Sequence, residues 1–193
     1  MEDLTLNLNK LSIIPNLFNI EEYLEKIRIK ILYILNRKQN DIVPYDILDT
    51  DVDIEHLLIE LRNKQRRMKY GEIWQMVIGE YYKFEDLKKG HITGLDILSS
   101  ERKIIIELKN RYNTDNSSSL KTNLDKLSKF KLSNKDYTCI YGVINEKNNI
   151  GIKKTIFHKD IEIMYLSGNY LFDFIFQEHK DIILNNVKDY IKK

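Results

Sequence analysis

Residues 94–109 read GLDILSSERKIIIELK and hold two short apolar runs separated by a polar turn. Side chains alternate between the two faces of a strand, so in the second run Glu107 and Lys109 face one side and Leu108 faces the other. A short turn returns the first run antiparallel to the second, which brings Asp96 alongside Glu107. The stretch therefore predicts a β-hairpin with two carboxylates and one ammonium group at its end.

Two carboxylates beside an ammonium group suit the hydrolysis of a phosphodiester. We expect Asp96 and Glu107 to hold Mg²⁺, with Mn²⁺ as a substitute, and the main-chain carbonyl of Leu108 to add an oxygen ligand. The cation draws charge from the phosphate and lowers the pKa of a water molecule. Lys109 orients that water and stabilises the developing negative charge. The same pattern also fits a solvated strand end with a surface ion pair, and the spacing alone leaves both interpretations open.

Periodic apolar residues predict the elements around the hairpin. Residues 1–15 read as an arm and residues 37–50 as a connection. Helices are predicted over residues 20–36, about 51–69 and 74–81, with Gly71 as a break; about 119–132; and 170–191, broken near Glu178. Strands are predicted over residues 92–98, 103–109, 137–145, 151–157 and 161–166, the third and fourth as a hairpin. This order predicts an α/β fold, with a mixed central β-sheet flanked by helices and a helical N-terminal region.

Formal charge is nearly balanced over the chain but not along it. The 193 residues hold 31 Lys and Arg against 29 Asp and Glu, and a net charge of +2 excludes a protein held to nucleic acid by bulk charge. Residues 100–160 hold 13 of the basic and 7 of the acidic residues, so the rest of the chain is acidic. The basic excess surrounds the predicted hairpin, which fits binding to DNA phosphates.

Composition also predicts the compartment and the type of source. The chain has one Cys, and no apolar run approaches the roughly 20 residues that span a bilayer. Its first residues lack the basic start and apolar block of a signal peptide. Ala is absent, and Gly and Pro are few, which indicates an AT-rich genome. We expect a cytoplasmic protein of a low-GC bacterium, or of a large DNA virus in its host's cytoplasm.

Asp96 and the ELK of residues 107–109 resemble the PD-(D/E)xK nuclease motif, with Leu95 in the place of its Pro. Residues 106–119, IELKNRYNTDNSSS, resemble the active-site segment of type II restriction endonucleases related to the Eco47II and Sau96I enzymes. In that family the catalytic Lys precedes a similar loop rich in Asn and Ser. Two upstream segments are also similar to the family: GEIWQM at residues 71–76 and GHITGLD at residues 90–96.

The resemblance covers roughly residues 70–145 and implies a homodimeric, Mg²⁺-dependent enzyme. Such an enzyme makes double-strand breaks at a short palindrome, for which a GGNCC-type site is our first expectation. A cognate DNA methyltransferase would protect the host genome. We expect a PD-(D/E)xK core over residues 70–193, preceded by a helical region over residues 1–69 that dimerises or clamps DNA, and one compact domain overall.

A helix carboxylate near the metal is frequent in related nucleases, and Glu72 or Glu80 is our candidate for it. Glu72, Gln75 and Gly79 share a helix face by their spacing. An exposed polar helix face explains these residues equally well.

Contacts with DNA are expected from the loop and helix after the hairpin and from a basic cluster upstream. A helix start rich in hydroxyls and free N–H groups is a good phosphate cradle. The alternatives are that the serines cap the helix and that the basic residues lie on a solvated face. The candidates are Arg111, Asn113, Asn116, Ser117, Ser118, Ser119, Lys121, Arg66 and Arg67.

Two other functions remain open at this point. A structure-specific or repair nuclease, such as a junction resolvase, would cut branched but not linear DNA. A non-catalytic DNA-binding module would bind without Mg²⁺ and cut nothing.

Overall fold

The computed structural model describes residues 18–38, 54–147 and 150–192. The predicted arm, nearly all of the predicted connection over residues 37–50, and residues 51–53 lie outside this part of the chain. The helices are α1 (Ile20–Asn36), α2 (Ile54–Gly79), α3 (Ser117–Ser133), α4 (Asn169–Phe176) and α5 (Lys180–Lys192). The strands are β1 (Glu85–Asp86), β2 (Ile97–Ser99), β3 (Ile104–Arg111), β4 (Thr138–Asn145), β5 (Lys153–His158) and β6 (Ile161–Ser167).

The six strands form one mixed sheet in the order β1-β2-β3-β4-β6-β5. β2 pairs antiparallel with both β1 and β3, whereas β4 is parallel to β3 and to β6. The antiparallel hairpin that carries the Asp–Glu–Lys pattern is therefore joined to a parallel centre. This sheet confirms the predicted α/β class.

Each face of the sheet packs against helices because the central strands are apolar on both sides. Ile106, Val77 of α2 and Ile183 of α5 belong to one apolar cluster. Ile105 and Leu127 of α3 belong to a second cluster on the opposite face. Alternation along β3 thus divides the core into two layers, and the Glu107 and Lys109 side chains lie on the α3 side.

The N-terminal helix is part of the first layer. Asn19 caps α1 by accepting hydrogen bonds from the N–H groups of Glu21 and Glu22. Tyr23 is buried, and its hydroxyl donates a hydrogen bond of 2.8 Å to the carbonyl of Val77 in α2. The predicted helix over residues 20–36 is confirmed, and it shares its core with the sheet.

α2 is one continuous helix, so the predicted break at Gly71 is wrong. A Cβ at Gly71 would lie 3.7 Å from the Cβ of Asn110, an ordinary contact, and its backbone stays helical. Glycine lowers helix propensity, but packing of α2 on the sheet outweighs that cost. The expected boundary between the helical N-terminal region, residues 1–69, and the nuclease core, residues 70–193, falls inside α2. The last predicted helix is interrupted at Gln177–His179, as the sequence indicates near Glu178.

The strand predicted over residues 92–98 is shorter than expected. Residues 91–94 form a turn in which the Gly94 N–H donates to the carbonyl of His91 at 2.9 Å. Gly94 has a φ of +62°, a conformation that glycine adopts readily. The apparent alternation of Ile92 with its neighbours is therefore not strand periodicity, and Ile92 is exposed.

β5 pairs with β6 and not with β4, so the predicted hairpin between those strands is wrong. Residues 139–144 of β4 are buried on both faces, as is typical of a central strand in a sheet covered by helices on both sides. β5 is mostly exposed and forms an edge of the sheet. Burial of both faces of β4 therefore matches its place between β3 and β6, although β4 and β5 are consecutive in the sequence.

Within the described ranges, no helix is both long enough and apolar enough to span a bilayer.

Candidate active site

Asp96 lies immediately before β2, beside the middle of β3. Its N–H donates to the carbonyl of Ile106 at 3.1 Å, and its Oδ2 accepts a hydrogen bond from the N–H of Leu108 at 2.8 Å. These two bonds fall on either side of Glu107, so the structure brings the two carboxylates together. The hairpin produces this because β2 and β3 pair antiparallel with Ile97 opposite Ile106.

Lys109 completes the group. Its Nζ donates to Oε1 of Glu107 at 2.7 Å and lies 3.7 Å from Oδ1 of Asp115. Glu107 is only 3% exposed, and Lys109 is partly buried. The two residues are two apart on β3, which places both on the same face. A solvated strand end, the alternative left open by the spacing, does not describe a pair this deeply buried.

The electrostatics of the group favour the binding of positive charge. Burial raises the pKa of Asp96, and burial together with the charge of Asp96 raises the pKa of Glu107. Burial alone would lower the pKa of Lys109, but the hydrogen bond and charge of Glu107 outweigh it and leave the pKa raised. The carboxylates of Asp96, Glu107 and Asp115 therefore face the ammonium groups of Lys109 and Lys126, and the negative charge is not fully balanced.

The oxygen donors of this group suit a hard divalent cation. Glu107 Oε2 is buried and has no hydrogen-bond partner within the described residues. The N–H of Leu108 points to Asp96. In a β-strand the N–H and the C=O of one residue point to the same side, so the carbonyl of Leu108 also faces Asp96. The described residues contain no group of three or more His, Cys, Asp or Glu arranged for a metal. A cation here would draw on backbone and water oxygens as well, as Mg²⁺ commonly does.

A hydrogen-bonded network continues from Lys109 into α3. Asp115 Oδ2 accepts from the hydroxyl of Tyr141 and from the amide of Asn123, both at 2.7 Å. Burial and the neighbouring Asp115 raise the pKa of Tyr141, so its hydroxyl stays protonated and donates. The network fixes Asp115 next to the Lys109 ammonium group.

Sequence reasoning missed Asp115, Asn123 and Tyr141 as site residues. Asp115 lies within the family-like segment of residues 106–119, and that likeness is the signal that could have found it. Asn123 and Tyr141 carry no comparable signal, because only the packing of α3 against β4 brings them to the end of β3.

The structure does not bring Glu72 or Glu80 into contact with Asp96 or Glu107. Glu72 forms an ion pair with Arg37 and remains half exposed at the edge of a cleft. Glu80 pairs with Lys26 at 2.5 Å and with Lys30, both in α1. Burial raises the pKa of Glu80, but the two lysines outweigh it and leave the pKa lowered.

Gln75 is the residue of that helix face which reaches towards the site. Its amide donates to Oδ1 of Asp86 at 2.9 Å, and the negative charge of Asp86 acts on Asp96. Gly79 allows this approach, since a Cβ there would lie 2.5 Å from the Cβ of Asp86. The helix thus reaches the site through the Gln75 amide, which holds the carboxylate of Asp86 in β1.

The start of α3 is capped by Asn116 and not by the serines. Asn116 Oδ1 accepts from the N–H of Ser119 at 2.8 Å. Ser117 and Ser118 are exposed in the first turn, and Asn113 and Lys121 are exposed on either side of it. This arrangement leaves the serine hydroxyls at the surface, beside the loop that holds Asp115.

Two adjacent arginines of α2 and a distant arginine of β3 meet at one surface depression. Arg66 and Arg67 of α2 and Arg111 of β3 line a depression of about 420 Å³ together with Tyr70. The Asn110 amide donates to the carbonyl of Arg67 at 3.1 Å and ties the strand end to the helix. The basic cluster is therefore continuous with the end of β3, the strand that carries Glu107 and Lys109.

A larger open cleft, of about 890 Å³, adjoins the same strand. Leu108 and Asn110 line it on the β3 side. Its lining holds more cations than carboxylates: Arg37, Lys38, Lys69, Lys88 and Lys89 against Glu72 and Asp86. Its charge and its position beside Leu108 suit a nucleic acid backbone.

A mixed sheet flanked by helices, with Asp, Glu and Lys grouped on its antiparallel hairpin, is the arrangement of a restriction-endonuclease-like fold. The family model described as Eco47II restriction endonuclease matches residues 54–169, more than half of the chain. The chain therefore belongs to the Eco47II restriction endonuclease family, whose members are nucleases that bind DNA. No match was found among curated proteins or among solved structures.

Proposed function

We propose that this chain is a type II restriction endonuclease that cuts both DNA strands at a short palindrome in a reaction dependent on Mg²⁺. The observation that supports this most is the grouping of Asp96, Glu107 and Lys109, together with a buried oxygen of Glu107 that has no hydrogen-bond partner among the residues the structure describes. A purely structural ion pair would be expected to satisfy that oxygen, since an unpaired buried acceptor is costly.

In this proposal Asp96, Glu107 and the carbonyl of Leu108 hold the divalent cation. When bound, Mg²⁺ supplies charge neutralisation at the scissile phosphate and lowers the pKa of water. Mn²⁺ accepts the same carboxylate and carbonyl oxygens and is expected to substitute.

Lys109 acts on the attacking water and on the phosphate. Its ammonium group is held by Glu107 and donates a hydrogen bond to the attacking oxygen, and its charge stabilises the negative charge that builds up on the phosphate. The water oxygen bonds to phosphorus as the bond to the 3′ oxygen breaks. One proton of the water passes to the surrounding solvent, and the 3′ oxygen takes up a proton from solvent. The products are a 5′-phosphate and a 3′-hydroxyl end.

The surface around this group supplies the DNA contacts. Arg66, Arg67 and Arg111 would bind phosphates on one side of the strand end, with Asn113, Lys121 and the exposed serines of α3 on the other. Such contacts provide much of the affinity and make it dependent on salt. The basic cleft beside Leu108 extends the same surface.

A palindromic site calls for two equivalent subunits, so we propose a homodimer. The helical region over residues 1–69 is our candidate for the dimer contact or for a clamp on DNA. A GGNCC-type sequence is the first target to examine, and a cognate methyltransferase would protect the host genome. We expect the enzyme to act in the cytoplasm.

The test is digestion of unmethylated phage DNA with Mg²⁺, with and without EDTA. Discrete fragments that disappear with EDTA are expected. The Lys109→Ala variant should bind the mapped site and leave it uncut, whereas the matched Lys153→Ala variant, on the exposed edge strand β5, should cut normally. A smear would indicate a non-specific nuclease, and cleavage of branched DNA alone a structure-specific one. Binding without any cleavage would indicate a DNA-binding module.

A further inference from the structure

Lys126 of α3 lies at the loop that leads into Asp96. Its Nζ donates to the carbonyl of Gly94 at 3.0 Å and to Oδ1 of Asn123 at 3.3 Å. Gly94 precedes Asp96 by two residues, so a second ammonium group stands beside the carboxylate pair. The role proposed above for Lys109 does not involve this lysine.

The charge of Lys126 is not used up by an acidic partner. Both of its hydrogen-bond acceptors are neutral oxygens, and no carboxylate in the described ranges forms an ion pair with it. An ammonium group has three N–H donors, so one remains for a further acceptor. Its positive charge acts on both Asp96 and Glu107 and opposes the effect of burial on their pKa values.

The position of Lys126 is fixed by the backbone and by buried side chains. A Cβ at Gly94 would lie 3.4 Å from Cε of Lys126, at van der Waals contact, so the lysine side chain packs directly against this glycine. Asn123 is only 6% exposed. Its amide donates to Asp115 at 2.7 Å, which also lies next to Lys109. One network therefore holds two lysines at opposite ends, with the carboxylate pair near both.

We propose that Lys126 is a second phosphate-binding lysine of this site, and that it binds a non-bridging oxygen of a phosphate next to the scissile one. The inference rests on the proposed function, because it assigns a further substrate contact to the same nuclease site. A phosphodiester anion fits the remaining donor of Lys126, which forms no ion pair with a carboxylate among the described residues, and charge-assisted hydrogen bonds to such oxygens are strong. In this arrangement Lys109 contacts the scissile phosphate, and Lys126 fixes the position of the DNA strand by binding the neighbouring phosphate.

The experiment combines Lys126 variants with a neutralised DNA backbone. Duplexes that contain the mapped cleavage site carry a single methylphosphonate at each phosphate around the scissile bond in turn. Single-turnover cleavage with Mg²⁺ is measured for the wild-type chain and for Lys126→Gln, Lys126→Arg and Lys129→Gln. Lys129 is the matched control, because it is exposed on the same helix one turn further on.

We expect Lys126→Gln to slow cleavage of the natural duplex by about 10- to 100-fold, as for loss of one charged hydrogen bond. Lys126→Arg should recover most of the rate, and Lys129→Gln should match the wild type. A methylphosphonate at one non-scissile position should slow cleavage by the wild type. The same methylphosphonate should have little further effect on cleavage by Lys126→Gln, because the two changes remove the same contact.

Additive effects at every position would overturn the inference and leave the nuclease assignment intact, since Lys126 would then only tie α3 to the loop. The methylphosphonate series on the wild-type chain is a test that needs no variant. If neutralising each non-scissile phosphate near the cut leaves the cleavage rate unchanged, the inference also fails. If the wild type cuts no DNA with Mg²⁺ or Mn²⁺, the proposed function fails and the phosphate contact fails with it.

Discussion

The backbone N–H of Leu108 donates a hydrogen bond of 2.8 Å to Oδ2 of Asp96, twelve residues earlier in the chain. The bond locks the Asp96 carboxylate against the strand that carries Glu107 and Lys109. One oxygen of Asp96 therefore has a structural role, in addition to the role we propose for the carboxylate in binding a cation. The two roles are separable by experiment.

Replacing Asp96 with Asn should separate them. The amide oxygen of Asp96→Asn still accepts the Leu108 hydrogen bond, while the negative charge is lost. Burial raises the pKa of Asp96, which means that folding disfavours its charged form, so the variant should melt at or above the wild-type temperature. Cleavage should fall by about 100-fold or more, since a metal ligand contributes several kcal/mol to the transition state.

Thermal melting by circular dichroism and cleavage of the mapped duplex measure both effects. Asp189→Asn, on the exposed side of α5, is the control and should change neither. Normal cleavage by Asp96→Asn would remove Asp96 from the proposed site.

Two glycines of α2 should respond to alanine in opposite directions. Gly71→Ala places a methyl group at an ordinary distance from Asn110 and should stabilise the helix by about 0.5–1 kcal/mol. Gly79→Ala would put its Cβ 2.5 Å from the Cβ of Asp86 and should cost about 1–3 kcal/mol. Urea unfolding of both variants gives the two free energies. Equal effects would contradict the close packing of α2 on β1.

The salt dependence of DNA binding should report the contact proposed for Arg111. Replacing it with Gln should reduce the slope of log K against log salt by about one, the effect of one lost phosphate contact. Fluorescence anisotropy of a labelled duplex in EDTA, at several salt concentrations, measures the slope. Lys188→Gln in α5 should leave the slope unchanged; an unchanged slope for Arg111→Gln as well would place the arginine outside the DNA contact.

Cys139, the single cysteine of the chain, should be protected from alkylation in the folded protein. Burial in β4 raises the pKa of its thiol to about 11, so at pH 8 only about one molecule in a thousand carries the reactive thiolate. Reaction with iodoacetamide should be slow, should accelerate as pH rises towards 11, and should become fast in urea. Equal rates with and without urea at pH 8 would show that β4 is not buried. The thiol therefore also offers a folding check on every variant above.

The centre of the candidate site follows from local geometry. Alternation along β3 places Glu107 and Lys109 on one face independently of the rest of the chain. The short turn between β2 and β3 makes the two strands antiparallel, which places Asp96 beside Glu107. The division of apolar residues between the two faces of β3 follows from the same rule. These features depend on neighbours within about fifteen residues, so the sequence is enough to predict them.

Which elements pack together depends on contacts between distant parts of the chain. The parallel pairing of β4 with β6 and the position of β5 at the edge place β4 inside the sheet, where helices cover both of its faces. The Asp115–Asn123–Lys126 network exists because α3 packs across β3 and β4. Glu80 lies away from the site because it forms ion pairs with two lysines of α1. The hairpin and the three groups at its end thus follow from covalent geometry that repeats every two residues. The further side chains around them depend on burial between distant segments, because that burial selects which elements pack together.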